Sequence, residues 1–435
     1  MDRLLYNDLL SWKRQPRRKP VLIDGARQTG KTHLIEQILG ARQFRKVHKL
    51  DFNFAPGLAS VFADGLAPRT IVDNIEVRFN EPVDLARDLI FFDEVGDCQS
   101  ALDSLKYFAE QMPNAFICAT GSNVGLLTSF PVGKVSRLEL FPLCFEEFVM
   151  ASGQTRLLEM FRTRAKSSTA HERLWSLFLD YTFVGGMPEA VAAWFDPRHG
   201  MAQRISQVET IHSDLVTGFE RDFGKYAGPA HAQHIDAVFH NIPRQLETTL
   251  DGSVKRFRFQ GVVTRKRGYQ DLRGPIDWLE KCRLAWKCYP IVSEPTPPLP
   301  HLTKESRFRL FLFDIGILRY LLRLPYVLQR EPKYGYKGFI AENFVQTELC
   351  ARVGHPTYGW AEGRAEIEFL HQARNGEIVP VEVKSRRRGR AKSLSSYTSR
   401  YAPERAITLT ADPRGGRDGV VTNWPLYEAQ FLGDL

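Results

Sequence analysis

The apolar positions of this chain change their period along its length, and each change announces a different kind of structure. Up to about residue 150, short unbroken apolar runs alternate with amphipathic stretches. Val21-Leu22-Ile23, Leu89-Ile90-Phe91-Phe92 and Ala115-Phe116-Ile117-Cys118-Ala119 have the character of strands buried on both faces, as in a doubly wound parallel sheet. From Thr155 to about Arg244 a helical period takes over, carried by Leu157, Met160 and Phe161 and then by Leu174, Leu177, Phe178 and Tyr181, with one break at Gly185-Gly186-Met187-Pro188. Shorter units follow. Residues 254–259 suit a strand or the start of a helix, 276–284 a helix, 295–300 a Pro-rich loop and 307–312 a strand. Helices followed by a two-stranded wing predict a winged-helix-like module. The last hundred residues predict a helix over 338–349 and two strands, 366–370 and 378–384, joined by the hairpin-like turn Arg374-Asn375-Gly376-Glu377. There is no internal repeat and no low-complexity segment.

The first apolar run leads directly into chemistry. Val21-Leu22-Ile23-Asp24 continues as Gly25-Ala26-Arg27-Gln28-Thr29-Gly30-Lys31-Thr32, the GxxxxGKT pattern of a phosphate-binding loop, and His33 to Leu39 follow as helix with Leu34, Ile35 and Ile38 on one face. The glycines let successive N–H groups turn toward the α- and β-phosphates, Lys31 reaches the β/γ oxygens, and the Thr32 hydroxyl joins a Mg²⁺ shell. The predicted nucleotide-contacting set is Gly25, Ala26, Arg27, Gln28, Thr29, Gly30, Lys31, Thr32 and His33. The second run ends in Asp93-Glu94: Asp93 is placed to hold the Mg²⁺ shell through water and Glu94 to polarise an attacking water. The third ends in Gly121-Ser122-Asn123, where Ser122 or Asn123 is the candidate γ-phosphate sensor. ATP with Mg²⁺ is the expected cofactor.

The C-terminal strands carry a second constellation. Glu342 shares a helix face with Gln346, Glu368 lies at the end of one strand, and Glu382 and Lys384 share a face of the next. Two carboxylates, Glu368 and Glu382, can hold a second divalent metal while the Lys384 ammonium stabilises charge or positions a water, the arrangement that metal-dependent phosphodiester cleavage needs. The spacing E-x13-E-x-K is loose, and alternating polar residues on an exposed sheet face would produce it equally well.

Charge narrows the partners. The net charge is +9, clustered in residues 13–19, 255–267 and 384–392, a density suited to a nucleic-acid backbone, DNA before RNA. The longest apolar runs are too short to span a bilayer, and the start of the chain has no uninterrupted hydrophobic stretch followed by small residues. Six scattered cysteines fit reduced thiols in a cytoplasm; Cys282 and Cys288, the closest pair, match no zinc ribbon and are expected on helices. A homo-oligomer is allowed but nothing in the sequence specifies one.

In order along the chain, the GxxxxGKT loop, Phe92-Asp93-Glu94, Thr120-Gly121-Ser122, Pro142-Leu143-Cys144-Phe145-Glu146-Glu147-Phe148, Gly185-Gly186-Met187-Pro188-Glu189, Phe313-Asp314-Ile315-Gly316 and the block from Glu342-Asn343-Phe344 to Glu382-Val383-Lys384 resemble a large prokaryotic family of AAA-type ATP-binding proteins. Members of that family carry a C-terminal domain of unknown function similar to the PD-(D/E)XK nuclease fold. The resemblance spans essentially the whole chain and implies an ATPase core over 1–150, a helical lid over 151–243, a winged-helix-like module over 244–330 and a restriction-endonuclease-like α/β domain over 331–435. It carries the nucleotide site to Gly25, Gly30, Lys31, Thr32, Asp93 and Glu94, and the nuclease-like positions to Glu342, Glu368, Glu382 and Lys384. Two departures stand out. Glu368 replaces the metal-facing Asp of the family, longer by one methylene, and Gly133-Lys134 replaces a Gly-Arg, which leaves an arginine finger open between Lys134, Arg137 and Arg221. Three functions fit: an ATPase whose cycle repositions a nuclease-like, DNA-interacting domain; an ATP-dependent switch acting through protein contacts; and an inactive nuclease fold kept as a binding platform.

Overall fold

The computed structural model describes every residue except 123, 127–130, 247–255, 332–336, 364, 385–391 and 416. Its contacts separate into two compact units, Met1–Phe141 and Pro142–Leu435.

The first unit is built on five parallel strands: β1 (Val21–Asp24), β2 (Val47–Asp51), β3 (Leu89–Asp93), β4 (Phe116–Gly121) and β5 (Ser136–Glu139), in the order β2-β3-β4-β1-β5. The unbroken apolar runs follow from burial on both faces. Ile90 and Phe92 enter one core cluster, with Leu22, Ile71, Leu102 and Phe108, while Leu89 and Phe91 enter the other, with Val21, Ile23, Leu34 and Ile38. Alternate residues of one strand thus serve opposite cores, the period-2 consequence of a pleated strand. Because β1 lies between β4 and β5, and β4 between β1 and β3, the C-terminal ends of β1, β3 and β4 meet at one edge. Asp24 pairs with Gly121 in register, and Phe92 with Ala119. Ligands of open α/β sheets bind outside the carboxyl ends of the strands.

The second unit begins with helices, among them Phe145–Ala151, Ser168–Val184, Met201–Ala227 and Pro229–Leu246. The motif residues in this part are used for packing. Gly316 sits so close to the end of the Ser168–Val184 helix that a Cβ there would lie 2.4 Å from the Val184 carbonyl oxygen. Asp314 beside it accepts from the backbone N–H of Gly186 at 2.7 Å and of Ile317 at 2.9 Å, tying the Gly185-Gly186 turn to the start of the Ile315–Leu321 helix. Phe145 heads its helix inside an aromatic cluster with Phe161, Phe178, Tyr181 and Phe344.

Eight strands form a mixed sheet: β6 (Ala285–Ile291), β7 (Arg309–Leu312), β8 (Thr357–Glu362), β9 (Ala365–Gln372), β10 (Ile378–Val383), β11 (Ala406–Thr410), β12 (Arg417–Asp418) and β13 (Val421–Pro425), ordered β12-β13-β11-β10-β9-β8-β6-β7. The helix and strand pair read between 269 and 312 are present as Tyr269–Lys281, β6 and β7. The pair does not stand as a separate wing; it is the sheet's edge, β6 running parallel to β8. Of the segment 254–259, residues 254 and 255 lie outside the described part and 256–259 form no regular element. One cysteine expectation is corrected: Cys282 caps the Tyr269–Lys281 helix, but Cys288 lies buried in β6. All six cysteines are free and buried. Among the described residues, no helix is long and apolar enough to cross a membrane.

Candidate functional site

The turn after β1 is shaped before any ligand arrives. Gly30 has φ 89°, in the left-handed region that an L side chain rarely adopts, and a Cβ on Gly25 would lie 2.3 Å from the Leu140 carbonyl oxygen. Thr29 Oγ1 donates to the Ala26 carbonyl at 2.9 Å and the Gly25 N–H donates to Asp24 Oδ1 at 2.8 Å, closing the loop on itself. A residue far away in sequence braces it: the guanidinium of Arg3 donates to the Thr29 carbonyl at 2.8 Å and to the Phe141 carbonyl at 2.6 Å. Gly25 and Ala26 are buried, Arg27 half-buried, Gln28 and His33 exposed.

Lys31 lies inside this loop. Its Nζ donates to the carbonyls of Gly25 (3.0 Å) and Ala26 (2.9 Å) and to Ser122 Oγ (3.1 Å). Burial pulls its ammonium below the ordinary lysine value, against the opposing pull of Glu94, Asp24 and Asp93. Such a poorly solvated cation gains most when phosphate oxygens replace neutral carbonyls. Ser122 Oγ also donates to Glu94 Oε1 at 2.9 Å, and the Ser122 N–H meets Glu94 Oε2 at 3.2 Å. Glu94 takes the left-handed conformation, φ 54° and ψ 54°, a strained choice for a non-glycine residue that the surrounding contacts must hold. Lys31, Ser122 and Glu94 are therefore one hydrogen-bonded chain.

Thr32 Oγ1 lies 3.0 Å from both oxygens of Asp93. Thr120 Oγ1 donates to Asp93 Oδ1 from the neighbouring strand, and the Lys49 ammonium of β2 lies 3.2 Å from Asp93 Oδ2. Burial works against the charge of Lys49, and Asp93, Glu36 and Asp51 outweigh it, raising its pKa. A hydroxyl and a carboxylate facing each other, in a place negative enough to draw in an ammonium, suit a hydrated divalent cation. Of the arginine-finger candidates, Arg137 pairs with Asp24, Lys134 pairs with Glu110 at 2.8 Å, and Arg221 is exposed on the Met201–Ala227 helix. Asn123 lies outside the described residues.

The C-terminal set is arranged differently. Stepping on from the Val381–Phe369 register pair of antiparallel β10 and β9, Glu382 comes opposite Glu368. Both are buried, and Glu368 Oε2 accepts from the Val383 N–H at 2.9 Å. Lys384 Nζ lies 2.8 Å from Glu382 Oε1, whereas Glu382 Oε2 has no hydrogen-bond partner among the described residues. An orphaned oxygen on a nearly inaccessible carboxylate fits a missing cation or proton. Glu342 does not complete the set. The buried guanidinium of Arg309, on β7, pairs with Glu342 Oε2. Burial opposes the charge of Arg309, but Glu342 and Glu366 overcome it and hold the group above its ordinary pKa. Among the described residues, the oxygens of Glu342, Glu368 and Glu382 do not converge within 4.8 Å of one another.

The basic stretches are partly committed elsewhere. Lys13 Nζ donates to the Gln43 carbonyl at 2.6 Å, and Arg18 donates to the Asn114 carbonyl at 2.6 Å while covering the Phe116 ring. Arg256, Arg258, Arg265 and Arg267 are exposed, Lys266 is half-buried beside Asp271, Lys255 lies outside the described residues, and so do 385–391 of the last stretch.

The first unit is, by sheet order and loop geometry, a P-loop nucleotide-binding unit. Residues 17–149, which include most of this unit, match the family model of an AAA domain. Residues 176–327 match a domain of unknown function (DUF8612) and residues 337–427 another (DUF4143). No curated protein matches the chain. Among similar solved structures is that of a signal transduction ATPase with numerous domains (STAND) carrying a tetratricopeptide repeat sensor, from Pyrococcus horikoshii. The two are 14% identical, the match covers 81% of this chain and 45% of that one, and the TM-score is 0.25. The chain thus spans less than half of that protein's length.

Proposed function

We propose that the chain is a Mg²⁺-dependent ATPase whose cycle acts on a nuclease-like C-terminal region that meets nucleic acid, DNA before RNA. The observation that carries the ATPase reading is the hydrogen-bonded chain from Lys31 through Ser122 to Glu94. In this reading the loop N–H groups and Lys31 bind the phosphates, and Lys31 leaves the Gly25 and Ala26 carbonyls as they arrive. Ser122 then turns its hydroxyl proton from Glu94 to the γ-phosphate, so that occupancy of the site frees the Glu94 carboxylate, which takes a proton from the attacking water. Thr32 and Asp93 would hold Mg²⁺, whose chemistry is to neutralise charge on the β- and γ-oxygens.

For the C-terminal region, support comes from the element order. The Lys337–Val353 helix, β8, β9, β10, the Lys392–Tyr401 helix and β11 follow one another, with Glu368, Glu382 and Lys384 on the adjacent antiparallel strands β9 and β10 or immediately after them. The residues fit one divalent ion between Glu368 and Glu382, given the orphaned Glu382 oxygen. Arg309 favours the second reading, a binding platform without cleavage, because it already neutralises the third carboxylate, Glu342. One experiment tests both. ATP hydrolysis by the purified chain is measured with single-stranded DNA, duplex DNA, RNA or no polymer, in Mg²⁺ or Mn²⁺, and the nucleic acid is recovered and sized. Stimulation by a polymer without cleavage selects the platform; cleavage selects the nuclease; no hydrolysis under any condition refutes the ATPase.

A further inference from the structure

Outside both sites, two long helices of the second unit bring three metal-ligand side chains together. Met201–Ala227 and Pro229–Leu246 are joined at Gly228, whose φ of 74° allows the chain to reverse, and they pack through Phe223 and Phe239, ring centroids 5.6 Å apart. That packing fixes the register of the pair. Asp236 and His240, four apart, lie on one face of the second helix, and Glu220 lies across from them on the first. His240 Nε2 is 2.9 Å from Glu220 Oε1 and 3.4 Å from Asp236 Oδ1, and the three donor atoms all lie within 4.8 Å of one another.

We propose that Glu220, Asp236 and His240 form a divalent metal site, of the zinc class, that clips these two helices together. Four-coordinate zinc with nitrogen and oxygen ligands near 2.0–2.2 Å needs donors roughly 3.4 Å apart, which the His240–Asp236 separation of 3.4 Å meets and the His240–Glu220 separation of 2.9 Å reaches with a shift of about half an ångström. The imidazole favours a transition ion over Mg²⁺ or Ca²⁺, and two carboxylates balance a dication. Placing i and i+4 ligands on one helix and a carboxylate on its neighbour is a general way of building metal sites into helical bundles. Glu220 and His240 also line an open cleft of about 760 Å³, so a fourth position is accessible to water or to an exogenous ligand. This site is independent of the nucleotide and C-terminal readings and is assigned by neither motif.

The test uses the full chain, stripped of metal and titrated with Zn²⁺ by calorimetry in excess Mg²⁺, with Co²⁺ absorption as a second probe of coordination number. The parent is expected to bind Zn²⁺ at a site that His240→Ala abolishes and Glu220→Gln with Asp236→Asn weakens at least about tenfold, the two chains keeping the parent's helical circular dichroism. Glu382→Gln is expected to leave this site in place, which separates it from the C-terminal carboxylates. Zn²⁺ is also expected to raise the Tm of the parent and not of His240→Ala, since binding to the folded state alone stabilises it. Unchanged Zn²⁺ affinity and stoichiometry in both folded variants, or no binding by the parent, overturns the proposal and leaves the three side chains as an ion-paired surface cluster.

Discussion

The two acidic sites differ in what answers their charge. At the strand ends of the first unit, Asp93 and Glu94 are met by small, exchangeable partners: the hydroxyls of Thr32, Thr120 and Ser122 and the half-buried ammonium of Lys49. In the second unit, Glu342 is met by a buried guanidinium and Glu382 keeps an oxygen with no partner among the described residues. Hydroxyls and a lysine can yield to a hydrated cation and phosphates at little cost, because each finds water or a neighbouring carboxylate when displaced. A buried arginine cannot, since leaving Glu342 breaks an ion pair between two buried charges. The first site is poised for ligand exchange, the second for a fixed charge balance.

The sharpest way to break that contrast is at Glu94. Glu94→Gln keeps the Ser122 contact but removes the base, so hydrolysis should fall by about 10²–10⁴-fold with ATP binding retained, as a filter or calorimetric binding assay would show. Lys31→Ala should instead lose nucleotide binding. If both variants hydrolyse ATP like the parent, the exchangeable site is not an ATPase centre.

The same contrast governs what the sequence made legible. The nucleotide loop is contiguous, so spacing alone carries Gly25, Gly30, Lys31 and Thr32, and strand β3 delivers Asp93 and Glu94 at the end of an apolar run. The braces were not legible. Arg3 reaches the loop across 26 positions, and Lys49 reaches Asp93 from a strand whose burial alternates, where a lysine looks like any surface residue. Arg309 had even less signal, because its meaning depends on β6 and β7 joining the C-terminal sheet, whereas their local pattern suits a wing. Several motif blocks carried structural information instead, Gly316 and Asp314 securing a close contact of two turns.

At the second site the next largest effect is expected. Arg309→Met removes the guanidinium that pairs with the buried Glu342 carboxylate and should cost about 3–5 kcal/mol in urea unfolding, most of it recovered in Arg309→Met with Glu342→Leu. Six of the seven tryptophans lie beyond residue 141, so intrinsic fluorescence follows this unit. Full additivity of the two substitutions would mean that Arg309 is not the partner that fixes the charge balance.

Acid should divide the two units by sign. Burial pushes the Glu348 carboxyl up to about 7 and the Asp314 carboxyl up to about 6, so both favour the protonated form in the folded chain. The stability they contribute is present below the unfolded values near 4–4.5 and is lost as pH rises toward 7. Asp88 of the first unit runs the other way: burial disfavours its charge, but hydrogen bonds from Arg45, the Asp84 N–H and His48 hold it well below the carboxylate range. Its contribution is present above the unfolded value and lost in acid. Glu348→Gln should therefore flatten the fall in stability of the second unit between pH 5 and 7.5 by roughly 3 kcal/mol, and Asp88→Asn should flatten the acid loss of the first. Parallel pH profiles for parent and Glu348→Gln would refute the assignment.

The smallest effect tests how fixed the second site is. Glu368 stands where the resembling family carries Asp, and its extra methylene is what lets Oε2 accept from the Val383 N–H at 2.9 Å across to β10. Glu368→Asp withdraws the carboxylate and leaves a buried N–H unsatisfied, which should cost about 1–2 kcal/mol in the same fluorescence-monitored unfolding. The consequence for metal separates the two readings of this region. If the carboxylates of Glu368 and Glu382 are free to rearrange around an ion, the shorter side chain is released from the backbone and Mn²⁺ binding is kept or strengthened. If the pair is held fixed by the Lys384 ammonium on Glu382 and by the backbone contact of Glu368, stability falls and Mn²⁺ binds neither parent nor variant. Calorimetry of parent and variant with Mn²⁺, at one pH and on the full chain, gives the answer, with Glu382→Gln as the control in which an ion at this position has lost its orphaned oxygen.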